Sequence, residues 1–93
     1  MVTVFIPGPM RSFSEGRDRV EVEGSNLRQV IDELEAACPG IKAQLVQDGD
    51  IRPGLAIAVN DELATSGLIE HVPEDGRVLI LPAVGGGSYQ LSF

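Results

Sequence analysis

The chain has 93 residues, of which 43% are hydrophobic and 23% are charged, the balance of a folded domain and not of a disordered chain. This length suits one modest core and argues against a catalytic cleft between two lobes. Fourteen acidic and seven basic residues give a formal charge of −7 at pH 7, which opposes approach to nucleic acid and to anionic membranes. We therefore expect no nucleic acid and no membrane among the partners.

Targeting signals and cysteine content indicate the cellular compartment and whether a metal site is expected. The sequence has no apolar stretch of about 18 residues and no basic start followed by an apolar segment, so we expect neither a spanning helix nor a secretion signal. The only cysteine, Cys38, excludes an intramolecular disulfide, and together with the only histidine, His71, it cannot form a metal cluster. The sequence predicts a cytoplasmic protein without a metal site.

The first two elements are predicted to be strands. Residues 2–6, VTVFI, are β-branched and aromatic, and they end at Pro7-Gly8-Pro9. Residues 17–23, RDRVEVE, alternate in polarity and place Val20 and Val22 on one face. This pattern predicts a hairpin whose second strand is half-buried.

A helix is predicted over residues 26–38. Ser25-Asn26 offers a cap, and Pro39-Gly40 ends the element. Apolar residues recur at spacings of three and four, which predicts a stripe that packs on a sheet. The stripe consists of Leu27, Val30, Ile31, Leu34 and Cys38. Because Cys38 lies on this stripe, a buried structural thiol is favoured over a nucleophile in a sulfur relay.

The second half is predicted to add a helical turn and two strands. Residues 41–47 indicate the turn, 48–54 a loop, and Leu55 to Val59 a third strand whose small alanines suggest a crowded second face. The turn at residues 73–76, PEDG, combines a Pro that fixes φ with a Gly that tolerates positive φ. It leads into Val78 to Leu81, four consecutive apolar residues typical of a central strand covered on both faces. The element order predicts an α+β fold with a mixed sheet around one helix.

Four segments of the sequence resemble one known family. They are VTVFIP at residues 2–7, ACPGI at 37–41, AVNDE at 58–62 and DGRVLILPAVGGG at 75–87. Together these segments are similar to the small ubiquitin-like sulfur carriers: the molybdopterin-synthase small subunit, the thiamin-pathway carrier and, closest, the carrier of an alternative cysteine synthesis. The likeness covers residues 1–87. It implies a β-grasp fold with four to five strands around one main helix over residues 1–84, and a flexible tail at 85–93.

The resemblance also implies a chemistry at the tail. Carriers of this family end at a diglycine whose carboxylate is adenylated with ATP by an enzyme resembling ubiquitin activators, and sulfur transfer then gives a thiocarboxylate. Gly86 and Gly87 align with that diglycine, and Gly87 would be the acceptor. The resemblance implies that the chain binds no cofactor and is not an enzyme, but a cosubstrate that donates sulfur to a biosynthetic enzyme. Partner contacts are expected at Pro82, Ala83, Val84 and Gly85.

Six residues beyond Gly87 depart from the family pattern. Gly87 is joined to Ser88 by an amide, so no free carboxylate exists there for ATP to activate. We therefore expect a precursor that is cleaved between Gly87 and Ser88 by a zinc metalloprotease of the deubiquitinase type, as in family members with such extensions. Tyr89, Leu91 and Phe93 alternate with polar residues. A disordered end is favoured, and the alternative is strand addition to a sheet edge or to a neighbouring molecule.

Other interpretations stay open at this point. On composition alone the glycine run fits a linker, although its position after a central strand favours a functional terminus. No catalytic constellation is evident, because His71 is expected at the surface and the acidic residues Glu33, Glu35, Glu74 and Asp75 are expected to be solvated. The alternatives to a carrier are an interaction module and a ubiquitin-like modifier. The presence of one lysine, Lys42, disfavours chains of the protein linked to itself.

Overall fold

The computed structural model describes residues 1–82. Over this range it has seven strands, two α-helices and two short 3-10 helices, at Gly8–Ser14 and Gly67–Ile69. The strands are β1 Val2–Phe5, β2 Arg19–Val22, β3 Val46–Gln47, β4 Asp50–Ile51, β5 Leu55–Val59, β6 Glu62–Leu63 and β7 Arg77–Pro82, and the helices are α1 Leu27–Ala37 and α2 Lys42–Leu45.

Five strands form the main sheet, in the order β2-β1-β7-β5-β6. Strands β1 and β7 are parallel, and the other neighbouring pairs are antiparallel. The last strand within residues 1–82, β7, therefore lies in the centre of a mixed sheet, as its apolar sequence predicts. The predicted α+β class, the β-β hairpin and the single main helix are also confirmed.

Strand β7 is central, and the part of the chain that the structure describes buries one of its faces fully. Val78 and Ile80 are buried at 2% and 5% exposure and belong to the hydrophobic core. Leu79 and Leu81, which point to the opposite face, are half-buried. Within residues 1–82 the second face is therefore only partly covered. The run lacks polar alternation because its second face is an apolar surface.

Helix α1 is capped as the sequence predicts. The side chain of Asn26 accepts a hydrogen bond from the Gln29 backbone N–H at 2.9 Å, and the Gln29 side chain in turn accepts one from the Ser25 N–H at 2.8 Å. These two bonds satisfy donors that a helix start leaves free. The predicted apolar stripe is buried throughout, at 3% exposure or less: Leu27, Val30, Ile31, Leu34 and Cys38.

The turn before β7 is where the sequence predicts it, but its backbone differs. The residue with positive φ is Asp75, at 59°. Gly76 instead permits a close approach, because a Cβ built there would lie 2.8 Å from the carbonyl oxygen of Pro73. The Gly76 N–H donates to that same carbonyl at 2.9 Å. The glycine thus allows a tight turn that places Arg77 at the start of the central strand.

Five short elements were not predicted: β3, β4, β6 and the two 3-10 helices. Residues 48–54, interpreted as a loop, contribute β4 to a small hairpin with β3, in which Val46 pairs with Ile51. Strand β6 pairs with the end of β5 and forms one edge of the main sheet. The 3-10 helix at Gly8–Ser14 links β1 to β2. Elements of two residues carry too little periodicity to be recognised from sequence.

Candidate functional site: the tail exit and the outer face of the sheet

The tail leaves the domain from the middle of the sheet. Pro82 is the last residue of β7, is half-buried and pairs with Leu55 on β5. The other predicted site residues lie outside the described residues: the contacts Ala83, Val84 and Gly85, the diglycine Gly86 and Gly87, and the cleavage position at Ser88. Their roles and the domain boundary after residue 84 stay predictions.

The face of the sheet opposite helix α1 carries a group of neighbouring apolar side chains, which we call the outer face, beside Thr3, Glu21 and Arg77 on the same side. Cross-strand pairing aligns Phe5 with Leu79 and Leu79 with Ala58, and Ala58 pairs with Leu63. Directly paired residues point to the same side of a sheet. The row therefore crosses four strands, β1, β7, β5 and β6, and a second row pairs Leu81 with Ala56. The outer face consists of Phe5, Ala56, Ala58, Leu63, Leu79 and Leu81.

The outer face is only partly covered within residues 1–82. Phe5, Leu79 and Leu81 are half-buried, and Leu63 is 52% exposed. The partly buried hydrophobic residues that pack against the core form a different set: Phe13, Val46, Ile51, Leu55, Ala64 and Leu68. The outer face is therefore a second apolar region, separate from the core, next to the point where the tail leaves.

A shallow groove of about 230 Å³ lies between the ends of β1 and β7. Phe5 and Pro7 line one side, and Leu79 and Leu81 line the other. At the rim the guanidinium of Arg11 is held in place, because its Nε donates to the Ile6 carbonyl at 3.0 Å. The groove extends from the outer face along the last residues of β7, after which the tail begins.

Charged residues border the outer face in opposite-charge pairs. Arg77 Nη2 lies 3.0 Å from Asp61 Oδ2, and Arg19 Nε lies 3.9 Å from Asp18 Oδ1. Both pairs are exposed, so they contribute little to stability. They leave the rim close to neutral, in contrast to the formal charge of −7 on the whole chain. The outer face is therefore suited to contact with an apolar surface of a binding partner.

The predictions that the Cys38 thiol is buried and that His71 lies at the surface are confirmed. Cys38 is a free thiol with no exposed surface, and this burial raises the pKa of the thiol and disfavours the reactive thiolate. His71 is exposed and forms a single backbone bridge with Asn26 beside the start of helix α1. Neither residue lines the groove between β1 and β7.

The carboxylates behave as predicted with one exception. Glu33, Glu74 and Asp75 are exposed. Glu35 is half-buried, and its carboxylate accepts hydrogen bonds from the backbone N–H groups of Gly40, at 3.0 and 3.2 Å, and of Lys42, at 2.9 Å. These bonds lower the pKa of Glu35. The prediction that Glu35 is merely solvated is wrong, because this side chain holds the loop that follows helix α1.

Residues 1–82 contain no group of three or more His, Cys, Asp or Glu side chains arranged to hold a metal ion. No helix in that range has the length and apolar character needed to cross a membrane.

Sequence reasoning identified the end of β7 as a surface but missed most of the outer face. Phe5 was assigned only to a strand, and Leu63 lies on a strand too short to be recognised. A usable signal was present in the paired alternation of β5 and β7, where Ala56 and Leu81 fall on the same side. Reading it requires the strand order, which the sequence does not show directly.

A five-stranded mixed sheet on one main helix, with the last strand in the centre and a glycine-rich segment after it, defines a ubiquitin-like β-grasp protein of the carrier type. The chain belongs to the ThiS family, whose model matches residues 4–87. This confirms the predicted family of ubiquitin-like sulfur carriers. No curated protein matches the chain in sequence.

Solved structures agree with this assignment. A chain of the Amycolatopsis orientalis BexX/CysO complex is 36% identical, with a TM-score of 0.89 over 92% of this chain and 99% of that chain. Mycobacterium tuberculosis CysO, an antigen, is also 36% identical, with a TM-score of 0.85 over 90% of this chain and 100% of that one. Small archaeal modifier protein 1 from Methanosarcina acetivorans, at 21% identity and a TM-score of 0.78 over 91% and 94%, shares the fold.

Proposed function

We propose that the chain is the precursor of a sulfur carrier. Cleavage of the bond between Gly87 and Ser88 exposes the Gly87 carboxylate, a partner enzyme adenylates it with ATP, and sulfur transfer converts it to a thiocarboxylate. The carrier then donates the sulfur to a biosynthetic enzyme that makes a cofactor or an amino acid. The chain itself is a cosubstrate and supplies no catalytic group.

The observation that carries this proposal is the limit of the family match. The ThiS family model matches residues 4–87 and leaves Ser88 to Phe93 outside. The matches to the two CysO-related structures likewise extend over 92% and 90% of this chain, but over 99% and 100% of those two chains. Both comparisons support Gly87 as the end of the functional carrier and the last six residues as an extension.

The fold supports delivery of the tail into another protein. Strand β7 pairs with β1 as far as Leu79 and with β5 as far as Pro82, so the point of exit is held beside β5. The six residues from Pro82 to Gly87 can reach about 20 Å at roughly 3.3 Å per residue. Glycine carries no side chain to obstruct a narrow site. The domain can therefore stay outside an activating enzyme while Gly87 enters it.

The chemistry needs a free carboxylate and two displacements. A Gly87 carboxylate oxygen attacks the α-phosphorus of ATP and releases pyrophosphate, which gives an acyl adenylate. A sulfide-equivalent nucleophile from a sulfur donor then attacks the Gly87 carbonyl carbon, and AMP leaves. The product is the thiocarboxylate. In the uncut chain the Gly87 carbonyl belongs to an amide, so the first attack has no nucleophile.

Partner binding is part of the proposal. CysO of Amycolatopsis orientalis forms a complex with BexX, which supports an assembly of this carrier with a partner protein of its pathway. The proposed partners are an adenylating enzyme similar to ubiquitin activators, a zinc metalloprotease of the deubiquitinase type and a sulfur-accepting enzyme. The contacts at Pro82, Ala83, Val84 and Gly85 are proposed for the adenylating enzyme.

Processing is tested by intact-mass analysis. The chain of residues 1–93 is incubated with a metalloprotease of this type, with and without a zinc chelator. The proposal expects loss of Ser88 to Phe93 as one peptide, and no loss with the chelator. Retention of these six residues, in a protein shown by circular dichroism to be folded, would contradict the precursor.

Activation is tested separately on a chain that ends at Gly87. With ATP and a cognate activator it should release pyrophosphate and, with a sulfur donor, gain about 16 mass units as sulfur replaces oxygen. The 1–93 chain is the matched control, because it has the same domain and no carboxylate at Gly87. Absence of adenylation would favour an interaction module. Stable amide adducts on lysines of other proteins would favour a ubiquitin-like modifier.

A further inference from the structure

A second groove, of about 360 Å³, lies on the side of the sheet that carries α1, and we call it the helix-side groove. It runs between α1 and the 3-10 helix at Gly67–Ile69, and α2 and the β3–β4 hairpin also border it. None of its lining residues belongs to the outer face, so the carrier chemistry proposed for Gly87 gives this groove no role. Its apolar lining consists of Ile31, Val46, Leu68 and Ile69.

The apolar lining rises from the core to solvent. Ile31 is 3% exposed and forms the floor, while Val46 and Leu68 are half-buried. Ile69 is 79% exposed, the highest value among the large hydrophobic side chains of residues 1–82. A single exposed apolar side chain is ordinary on a protein surface, but one that continues a groove with an apolar floor marks a place of contact.

The exposed wall of the groove is held in place by its neighbours. The Leu27 backbone N–H donates to the Glu70 carbonyl at 3.0 Å, which ties the 3-10 helix to the start of α1. A Cβ built on Gly67 would lie 2.8 Å from Asp50 Oδ1, so β4 packs closely against the same 3-10 helix. Ile69 is therefore presented by a fixed backbone, and a ligand need not order it on binding.

The charges at the rim leave one cation without a partner among residues 1–82. Lys42 Nζ lies 2.6 Å from Asp32 Oδ1, which forms an ion pair between α2 and α1. The exposed guanidinium of Arg28 has neither a hydrogen bond nor an ion pair in that range, whereas every other Arg and Lys side chain has one. Arg28 also lies in the first turn of α1, where the helix dipole disfavours a positive charge. An unpaired guanidinium beside an apolar lining complements a carboxylate next to an apolar side chain.

We propose that the helix-side groove binds a short segment of a partner protein in which an apolar side chain lies next to a carboxylate. The apolar side chain packs on Leu68 and Ile69 above Ile31, and the carboxylate pairs with Arg28. A single carboxylate is required, because a chain with a formal charge of −7 repels an extended acidic stretch.

The exposure of Ile69 favours a protein segment over a small molecule. Small-molecule sites enclose most of the surface of their ligand, and a side chain that is 79% exposed cannot enclose one. A partner protein instead covers Ile69 from above with the surface around its own segment. Since the groove lies opposite the outer face, such a partner can hold the carrier while, if the proposed function holds, Gly87 enters another enzyme.

Peptide selection on the 1–93 chain tests the proposal. Random peptides of about 12 residues, displayed on phage, are selected on the folded chain, and the tightest binder is synthesised with a fluorescent label. The proposal expects selected sequences that share an acidic residue next to a large apolar one. Fluorescence anisotropy should show binding at least about tenfold weaker for Arg28→Gln and for Ile69→Ser.

The matched controls are Arg19→Gln and Leu63→Ser, because they change an exposed arginine on β2 and an exposed leucine on the outer face. Both should leave the affinity for the peptide within about twofold of the parent value. Circular dichroism of all four variants checks that each is folded, and all four substitutions are at exposed positions.

A change in the peptide gives a readout that does not depend on a folded variant. Replacement of its acidic residue by the corresponding amide should weaken binding to the parent chain by about tenfold and remove the further loss caused by Arg28→Gln. The Arg28→Glu chain should prefer a peptide with lysine at that position. Such coupling between Arg28 and one carboxylate would not arise from a merely structural role of Arg28.

The proposal is overturned by any of several results: no selected binder, selected peptides without an acidic residue beside an apolar one, an affinity unchanged by Arg28→Gln, or loss of binding in Leu63→Ser instead of Ile69→Ser. Displacement of the peptide by hexanoate, a small apolar carboxylate, would overturn it in favour of a small-molecule site. None of these measurements uses a protease, ATP or an activating enzyme. Failure of the groove is therefore distinct from failure of the carrier function.

Discussion

Glu35 and Gly40 are joined across the end of helix α1 by a carboxylate that accepts the Gly40 N–H, with nitrogen to oxygen distances of 3.0 and 3.2 Å. The same carboxylate accepts the Lys42 N–H at 2.9 Å. A helix end leaves backbone groups without partners, and here a side chain from the last turns fixes the loop that carries the chain into α2. These N–H groups bond more strongly to the ionised carboxylate than to the protonated acid.

We predict that Glu35→Gln destabilises the protein in a way that depends on pH. Because the folded-state pKa of Glu35 is lowered, its contribution is present above the unfolded pKa of about 4.3 and is lost as pH falls through the folded value. Urea unfolding should show the variant less stable than the parent at pH 7, with the difference narrowing below pH about 4. Glu33→Gln, on an exposed residue of the same helix, should show no such narrowing. A gap that stays constant with pH would contradict this role.

The core and the outer face should respond differently to truncation. Leu34 is 1% exposed in the core cluster, so Leu34→Ala should lower the free energy of unfolding by about 2–5 kcal/mol through lost burial and a cavity. Leu63 is 52% exposed, and Leu63→Ala should change it by about 0.5 kcal/mol or less. Chemical denaturation of both variants measures the difference. Equal losses of unfolding free energy in the two variants would mean that the outer face is not separate from the core.

The close approach at Gly76 gives a third prediction. A Cβ at this position would lie 2.8 Å from the Pro73 carbonyl oxygen and 3.4 Å from Val72, so Gly76→Ala must distort the turn before the central strand. We expect a loss of about 1–3 kcal/mol in thermal or urea unfolding. Gly8→Ala is the matched control, because a Cβ there has no heavy atom within 4 Å. A stable Gly76→Ala protein would show that the turn can relax without cost.

Cys38 should be inert in the folded protein. The thiol is fully buried and its pKa is raised by that burial, so a thiol reagent can reach it only when the domain opens. Modification by a colorimetric disulfide reagent in native buffer should be on the order of 10³-fold slower than in denaturant, given typical domain stabilities. Rapid native labelling would contradict a purely structural role and reopen a function in sulfur relay.

The elements with a long, regular pattern were predictable. Helix α1 repeats its apolar residues over three turns, and the cap at Asn26 forms as expected. The central position of β7 followed from its apolar run. These patterns are strong because a buried stripe or strand must repeat the same choice many times.

The remaining features depend on partners far away in sequence. The outer face exists only because β7 lies between β1 and β5, so Phe5 and Leu79 become neighbours across 74 positions. The role of Glu35 depends on the path of the loop at Gly40, which no local pattern specifies. The turn sequence predicts a positive φ at Gly76, but the structure has the positive φ at Asp75. Gly76 is needed instead for a close backbone approach.

The parallel pairing of β1 with β7 also has a consequence for biosynthesis. Thr3 pairs with Arg77, so β1 has an open edge on one side until nearly the whole domain has left the ribosome. Closing so long a loop makes this contact late and slow compared with the local β1–β2 hairpin. An open strand edge is a site of aggregation. Nascent chains that stall before β7 should therefore depend on chaperones, while completed chains should not.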